Sequence, residues 1–171
     1  MRFKLRPDFM FDKFSDASAS FLLENGFSGI ILDVDNTLEP YENPLPTEAV
    51  MKWFSELREA GIACAIVSNN SSERIDLFNT SLGIVTYSKA RKPFSKNIKK
   101  AMADIGTTEE NTVFMGDQVF TDVLGAHNAG IKAILVPPIR DKRDIFTRFK
   151  RLLEKPIIRS FKKKQREKCE E

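Results

Sequence analysis

The sequence contains few of the residues that build disulfide bonds or zinc sites, with two cysteines and one histidine among 171 residues. No CxxC pair is present, so neither a disulfide framework nor a structural zinc site is expected. His127 is accordingly interpreted as an ordinary helix residue. Any metal ion that this chain binds is therefore expected to have oxygen ligands.

The sequence also lacks an apolar run near the roughly 20 residues needed to cross a bilayer. Its first twelve residues lack the apolar stretch of a signal peptide, so we expect a cytoplasmic protein, with peripheral association at the inner face of the membrane left open. Residues 1–139 carry 14 Lys and Arg against 18 Asp and Glu, whereas residues 140–171 carry 13 against 6. Basic character is thus concentrated at the end of the chain.

From residue 28 onward, apolar runs of strand length alternate with segments of helical period. This pattern predicts an α/β fold in three layers, with helices on both faces of a mainly parallel sheet. Five strands are predicted, at residues 29–34, 62–67, 84–87, 112–115 and 131–136.

The same pattern divides the chain into three parts. Residues 28–139 are expected to form the core, and residues 140–171 a basic, amphipathic helical tail. Residues 1–27 form an N-terminal segment expected to pack on the core. The phenylalanines up to Asn25 are expected to pack against the sheet rather than to form a surface contact, because scattered aromatic residues usually belong to cores; they are Phe3, Phe9, Phe11, Phe14 and Phe21.

Two aspartates, Asp33 and Asp35, directly follow the first predicted strand. Open α/β folds bind ligands at the carboxyl ends of their strands, and alternate residues of an extended chain point to the same side. Two such charges are costly together unless a cation or a transferred group shares them. The pair alone is a weak signal, because acids also start turns. An EF-hand is excluded, since Leu38 stands where that loop needs glycine.

The fourth predicted strand also runs into acids, Asp117 and Asp122. A second carboxylate pair at a second strand end is what an oxygen-ligated Mg²⁺ site requires. Ser68 and Asn69 follow the second strand and precede a helix, a position suited to binding phosphate oxygens. Lys92, after the third strand, is placed to project a positive charge toward the same edge.

The ordered segments DVDNTL, SNN, ARKP and GDQVFTD resemble the four motifs of the haloacid dehalogenase superfamily of phosphatases and span Asp33 to Asp122. The resemblance implies a Rossmann-like core and Mg²⁺-dependent hydrolysis of phosphomonoesters. It further implies that Asp33 is the nucleophile and forms an aspartyl-phosphate, while Asp35 protonates the leaving oxygen and later activates water.

The resemblance also implies the binding residues. Ser68, the backbone of Asn69, and Lys92 would hold the phosphoryl group. Asp122 would bind the metal ion through water or orient Lys92. The full set of implied Mg²⁺ ligands is Asp33, the carbonyl of Val34, Asp35, Asp117 and Asp122.

Many members of this superfamily insert a cap domain after the first motif or between the second and third. Residues 38–62 and 70–92 are too short for one, so no cap domain is expected. An open site suits a large substrate or closure by an oligomer partner. The whole chain is most similar to the capless subclass III, bacterial members related to the mitochondrial phosphatidylglycerophosphate phosphatase. This implies hydrolysis of phosphatidylglycerophosphate to phosphatidylglycerol.

The sequence leaves alternatives open for the role of the C-terminal tail and for the substrate. Residues 144–168 combine apolar residues with Lys and Arg, a pattern typical of a helix on an anionic membrane surface. For residues 144–155, a helix packed on the sheet is an equal alternative. Beyond Pro156 the surface role is the favoured one. Alternative functions are a soluble nucleotide or sugar phosphatase, a phosphatase for nucleic-acid ends, and a non-catalytic phosphate-binding scaffold on RNA or membrane. The motif order argues against a phosphoacceptor signalling domain, because no paired acids precede a separate phosphorylated Asp on the third predicted strand.

Overall fold

The protein, seen in a computed structural model, is described over residues 5–140 and 153–160. Six strands are present in those residues: β1 (Phe9–Met10), β2 (Gly29–Leu32), β3 (Ala63–Val67), β4 (Val85–Tyr87), β5 (Thr112–Gly116) and β6 (Lys132–Leu135). The helices are α1 (Ala19–Glu24), α2 (Glu48–Glu59), α3 (Ser72–Asn79), α4 (Lys96–Asp104) and α5 (Leu124–Ala129). A 3-10 turn spans Phe14–Asp16, a π-helical turn spans Val119–Val123, and residues 153–160 are helical and are called α6.

All neighbouring strands are parallel, in the order β1-β6-β5-β2-β3-β4. The α/β fold with a parallel sheet is therefore confirmed, and each predicted strand is present with ends that differ by at most two residues. The predicted number of strands was wrong, because the sheet has six rather than five. The missed strand, β1, is only two residues long and is too short to show an alternating pattern.

The strand order reverses direction at β2. The chain runs from β2 outward through β3 and β4, then crosses to β5 on the other side and continues to β6. Such a reversal leaves a crevice at the carboxyl ends of the two central strands. Leu32 of β2 lies beside Met115 of β5, and the amide of Asp33 donates to the carbonyl of Met115 at 3.0 Å. The crevice therefore opens at Asp33.

The sheet is buried on both faces. Along β2, Ile30 and Leu32 belong to one hydrophobic cluster and Ile31 to another on the opposite face. Helix α2 covers the first face with the buried side chains of Val50, Trp53, Phe54 and Leu57. This burial on both faces explains why the strands are continuously apolar instead of alternating.

Four of the five phenylalanines up to Asn25 are described, and all four pack against the first cluster: Phe9, Phe11, Phe14 and Phe21. Phe21 makes edge-to-face contacts with both Phe9 and Phe11 at centroid distances of 5.2 and 4.9 Å. Phe3 lies outside the described residues. The packing interpretation is thus confirmed for the four that are described.

The segments that follow β2 and β3 at the crevice are short and contain few elements of secondary structure. A loop and α2 join β2 to β3, and α3 and β4 lie between β3 and Lys92. Glu39 holds that loop closed, since its carboxylate accepts from the Thr47 amide at 3.0 Å and from the Asn43 side chain at 2.9 Å. Within residues 5–140 and 153–160, no helix combines the length and the apolar character needed to cross a membrane.

Helix α6 packs back on the core. Ile157 and Ile158 contact the second hydrophobic cluster, and Glu154 is buried. The surface role expected beyond Pro156 is therefore wrong for these two isoleucines, because both are partly buried against the core. Two parts of the proposed membrane segment, residues 144–152 and 161–168, lie outside the described residues.

One carboxylate joins the edge of the sheet to α5. Oδ2 of Asp8 accepts from the amide of Ala133 and pairs with Nε2 of His127, both at 2.9 Å. Burial raises the pKa of Asp8, but the bonds from His127 and Ala133 outweigh burial and hold the pKa below 3.8. A carboxyl with a lowered pKa adds stability at neutral pH that is lost as pH falls through that pKa.

We therefore expect Asp8→Asn to lower the free energy of unfolding at pH 7 by about 1 kcal/mol, a modest value because the side chain is partly exposed. Between pH 7 and 3, the loss should stay nearly constant down to about pH 4 and shrink below it, as pH falls toward the lowered pKa of Asp8. Urea unfolding across this range measures it, with the exposed Asp12→Asn as the matched control. A loss that stays constant with pH would show that the charge of Asp8 is not the cause.

Candidate active site

The polar side chains singled out in the sequence meet at the carboxyl edge of the sheet. Asp33 follows β2, Ser68 follows β3 and Asp117 follows β5, while Lys92 comes from the loop after β4. Parallel strands end on one side of a sheet, which explains why residues as far apart in sequence as Asp33 and Asp122 become neighbours.

Lys92 lies at the centre of this group. Its ammonium is 3.1 Å from Oδ1 of Asp33 and 2.7 Å from Oδ1 of Asp122, and its side chain is 1% exposed. It also lies 5.0 Å above the ring of Phe114 on β5. The lysine is thus held by charge from two sides and by an aromatic face from a third.

Burial and charge act in opposite directions on these groups. Loss of hydration would lower the pKa of Lys92, but Asp122 and Asp33 outweigh it, so the pKa lies above 10.5 and the lysine is charged. Burial raises the pKa of Asp122; Lys92 lowers it and Asp33 raises it, and the pKa remains above 3.8. Burial and the charge of Asp33 therefore outweigh the attraction of Lys92 for the ionised form of Asp122.

Asp117 adds a third carboxylate to Asp33 and Asp122. One oxygen from each of the three residues lies within 4.8 Å of the others, and all three residues are buried. Three carboxylates beside one ammonium leave an excess of negative charge in a place of low hydration. A divalent cation with oxygen ligands fits this donor set and would relieve the excess.

The structure does not bring every expected ligand to this cluster. The carbonyl of Val34 accepts backbone bonds from Thr37, Leu38 and Glu39 at 3.1, 2.9 and 3.3 Å. This oxygen is turned into the tight loop that follows β2, so its expected role as a metal ligand is withdrawn. The carboxylate of Asp35 is also directed elsewhere.

Asp35 has its own set of partners. Oδ2 accepts from the side-chain amide of Asn70 at 2.6 Å, and Oδ1 is 3.2 Å from the guanidinium of Arg74. Both carboxylate oxygens are engaged away from Lys92. The carboxylate of Asp35 is therefore also removed from the expected set of metal ligands, which leaves Asp33, Asp117 and Asp122.

Arg74 is a site residue that the sequence interpretation missed. It lies in the first turn of α3, donates to the carbonyl of Pro44 at 2.9 Å, and stands over the ring of Phe78. It thus links Asp35, the loop after β2 and α3. A cation in the first turn of a helix opposes the helix dipole, and this unfavourable placement is the signal that the sequence offered.

Ser68 and Asn69 take different positions. The Oγ of Ser68 is buried and accepts from the amide of Asn70 at 3.3 Å. The side chain of Asn69 instead clamps the backbone of Lys92: Oδ1 accepts from its amide at 2.6 Å, and Nδ2 donates to its carbonyl at 3.1 Å. Asn69 of the SNN segment thereby fixes the backbone of Lys92 in the ARKP segment.

Comparison with known proteins agrees with this geometry. Residues 31–136 match the family model for haloacid dehalogenase-like hydrolases. The chain therefore belongs to the haloacid dehalogenase-like hydrolases. It is 41% identical over 143 residues to the probable phosphatase YqeG of Bacillus subtilis, covering 84% of this chain and 83% of that protein. It is also 28% identical to a phosphoglycolate phosphatase of Caulobacter vibrioides, of which it spans 58%.

Solved structures show the same haloacid dehalogenase fold. CbbY from Rhodobacter sphaeroides in complex with phosphate has a TM-score of 0.57 at 13% identity, covering 70% of this chain and 90% of that one. The cobalt-bound deoxy-D-mannose-octulosonate 8-phosphate phosphatase of Haemophilus influenzae has a TM-score of 0.52 at 18% identity, with coverages of 67% and 80%. With the family and these phosphatase relatives, the protein is a phosphatase of the haloacid dehalogenase type.

Close approach of Asp122 to β5 depends on Gly116. A Cβ at this position would overlap the carboxylate and the Cβ of Asp122. We expect Gly116→Ala to push Asp122 away from Lys92 and to cost roughly 1–3 kcal/mol of stability. Urea unfolding measures this cost.

A double-mutant cycle isolates the cause. In an Asp122→Gly background the side-chain atoms that would overlap are absent, so Gly116→Ala should cost clearly less than in the wild type. Equal costs in both backgrounds would mean that strain elsewhere, and not the contact with Asp122, makes glycine necessary.

Proposed function

We propose that the protein hydrolyses phosphomonoesters through an aspartyl-phosphate on Asp33, with Mg²⁺ as the cation. The observation that carries this proposal is the separation of two carboxylates. Asp33 lies against Lys92 in the cluster with Asp117 and Asp122, whereas Asp35 is held by Asn70 and Arg74. This separation supports two different roles, with Asp33 as the nucleophile and Asp35 as the group that transfers protons.

In the first step, a carboxylate oxygen of Asp33 attacks the phosphorus, and the bond from phosphorus to the leaving oxygen breaks. Asp35 donates a proton to that oxygen as the alcohol departs. Lys92 neutralises charge on Asp33 and on the phosphoryl oxygens from its fixed position. The hydroxyl of Ser68 and the backbone of Asn69 supply hydrogen bonds to the same oxygens.

In the second step, a water molecule attacks the phosphorus of the aspartyl-phosphate. Asp35, now ionised, accepts a proton from this water, and the bond between Asp33 and phosphorus breaks to release inorganic phosphate. Asp33, Asp117 and Asp122 are the residues that would hold Mg²⁺. The ion would stabilise the negative charge that develops on the phosphoryl group.

For the substrate we propose phosphatidylglycerophosphate, hydrolysed to phosphatidylglycerol by a capless member of subclass III. The short intervals after β2 and β3 leave the carboxyl edge uncovered by a further domain in the described residues. A headgroup that projects from a bilayer needs such an open approach. The similarity to YqeG over most of the chain is consistent with this subclass.

Exposed apolar residues on the same edge support a lipid substrate. Phe94 is 72% exposed and follows Lys92 by two residues, and Tyr41 and Leu45 are about half exposed in the loop after β2. Ile139 is also exposed, and its amide donates to the carbonyl of Asn36 beside Asp35 at 3.0 Å. We call these four residues the rim.

Exposed cations accompany the rim. Lys89 and Arg91 precede Lys92, Lys96 follows Phe94, and Arg140 follows Ile139. Apolar and cationic side chains on one edge complement a bilayer of anionic lipids, which attracts basic groups and accepts apolar ones. Soluble sugar or nucleotide phosphates remain the alternative substrates, favoured by relatives such as the phosphoglycolate phosphatase.

Substitution of the two carboxylates tests the chemistry. Asp33→Asn is expected to abolish phosphate release, because no nucleophile remains. Asp35→Asn should reduce the rate by about 10²–10⁴-fold, the usual contribution of a general acid. Phosphate release in Mg²⁺ measures both, and Asp76→Asn, exposed on α3, is the unaffected control. Full activity of Asp33→Asn would refute the covalent mechanism.

A substrate panel tests the lipid assignment. We expect faster release of phosphate from phosphatidylglycerophosphate in anionic vesicles than from phosphoglycolate, sugar phosphates or nucleotides. Phe94→Ser should weaken vesicle binding about tenfold or more, as expected for loss of one buried phenyl group, and leave the hydrolysis of a soluble ester unchanged.

The matched control is Leu77→Ser, an exposed apolar residue on α3 outside the rim. Release from soluble esters alone would retain the phosphatase mechanism and reject the lipid substrate. Equal vesicle binding by wild type and Phe94→Ser would reject the rim as the membrane contact.

A further inference from the structure

The helical segment that carries Asp122 begins with three amides that need acceptors. The π-helical turn Val119–Val123 continues directly into α5, so the two form one segment that ends at Ala129. The first N–H groups of a helical segment have no partner within it. Here they follow immediately after Asp117, one of the proposed metal ligands.

Two carboxylates accept these three amides. Oδ2 of Asp122 accepts from the amide of Gln118 at 3.0 Å. Oε1 of Glu154 accepts from the amides of Val119 and Phe120 at 2.8 and 3.4 Å. Asp122 belongs to the segment itself, whereas Glu154 comes from α6, more than thirty residues later in the chain.

The burial of Glu154 indicates a specific contact. The residue is 3% exposed, and a buried carboxylate is costly unless it accepts hydrogen bonds. The start of a helix supplies both N–H donors and a positive dipole end, which stabilise such a charge. Ile157 and Ile158, one turn further on, anchor α6 in the second hydrophobic cluster. The carboxylate is therefore delivered to this position by a packed helix.

We propose that Glu154 is a positioning residue for the active site. By fixing the amides of Val119 and Phe120, it fixes the backbone between Asp117 and Asp122. The three carboxylates of the cluster lie within 4.8 Å, and Asp122 is 2.7 Å from Lys92, so a small shift of this backbone separates them. The inference rests on the proposed metal site. It makes α6 part of the catalytic unit.

Metal binding and hydrogen exchange test this role without a substrate. Titration calorimetry measures Mn²⁺ affinity, and NMR measures amide exchange of Val119 and Phe120. Glu154→Ala is expected to weaken Mn²⁺ binding about 10- to 100-fold, the usual effect of removing a residue that orients a ligand, and to speed exchange of both amides. Glu154→Gln keeps an acceptor and should restore much of both properties. Lys155→Ala, its exposed neighbour, should change neither.

Wild-type Mn²⁺ affinity in Glu154→Ala would overturn the proposal. If that variant does not fold, Glu154→Asp replaces it: the charge remains, the reach is one methylene shorter, and severalfold weaker Mn²⁺ binding is expected. Wild-type affinity in Glu154→Asp would then overturn the proposal. Absence of Mn²⁺ binding by the wild type is a separate outcome, which refutes the proposed metal site and, with it, the role of Glu154.

Discussion

The ammonium of Lys92, buried between Asp33 and Asp122, is the interaction on which the arrangement of the site depends. A buried charge is tolerated only with close partners, and these come from two different strand ends. Several unrelated features serve this contact. Asn69 clamps the lysine backbone, and Gly116 leaves the space that Asp122 occupies. The strand register, the second motif and one glycine therefore all converge on the position of a single side chain.

Asp33 and Asp35 are two residues apart and yet have different surroundings. Asp33 shares a lysine with other carboxylates, whereas Asp35 is fixed by an amide and a guanidinium from the region after β3. Environments that differ in this way allow two carboxylates to take different roles in one reaction. The tight loop after Asp33, in which Asn36 has a positive φ of 63° and the Val34 carbonyl accepts three amides, produces this divergence.

The described parts of both terminal segments are packed on the core. β1 extends the sheet beyond β6, and Asp8 ties it to α5 through His127. α6 buries two isoleucines and directs Glu154 to the turn behind Asp117. Both segments thus stabilise the same side of the molecule, the β5–α5–β6 region that carries two of the three clustered carboxylates, Asp117 and Asp122. The rim lies on the carboxyl edge and is formed by loops of the core instead.

The sequence by itself determined the fold class, the five strands β2 to β6 and the candidate residues at their ends. Apolar runs and the polar residues that follow them are local signals, which can be read without the tertiary structure. It did not determine β1, since two residues carry no pattern. The ligand set also required the tertiary structure: only the path of the loop after β2 shows that the Val34 carbonyl and the Asp35 carboxylate turn away from the cluster. Arg74 and Glu154 reach the site through contacts between distant segments, and such contacts leave no periodicity in the chain.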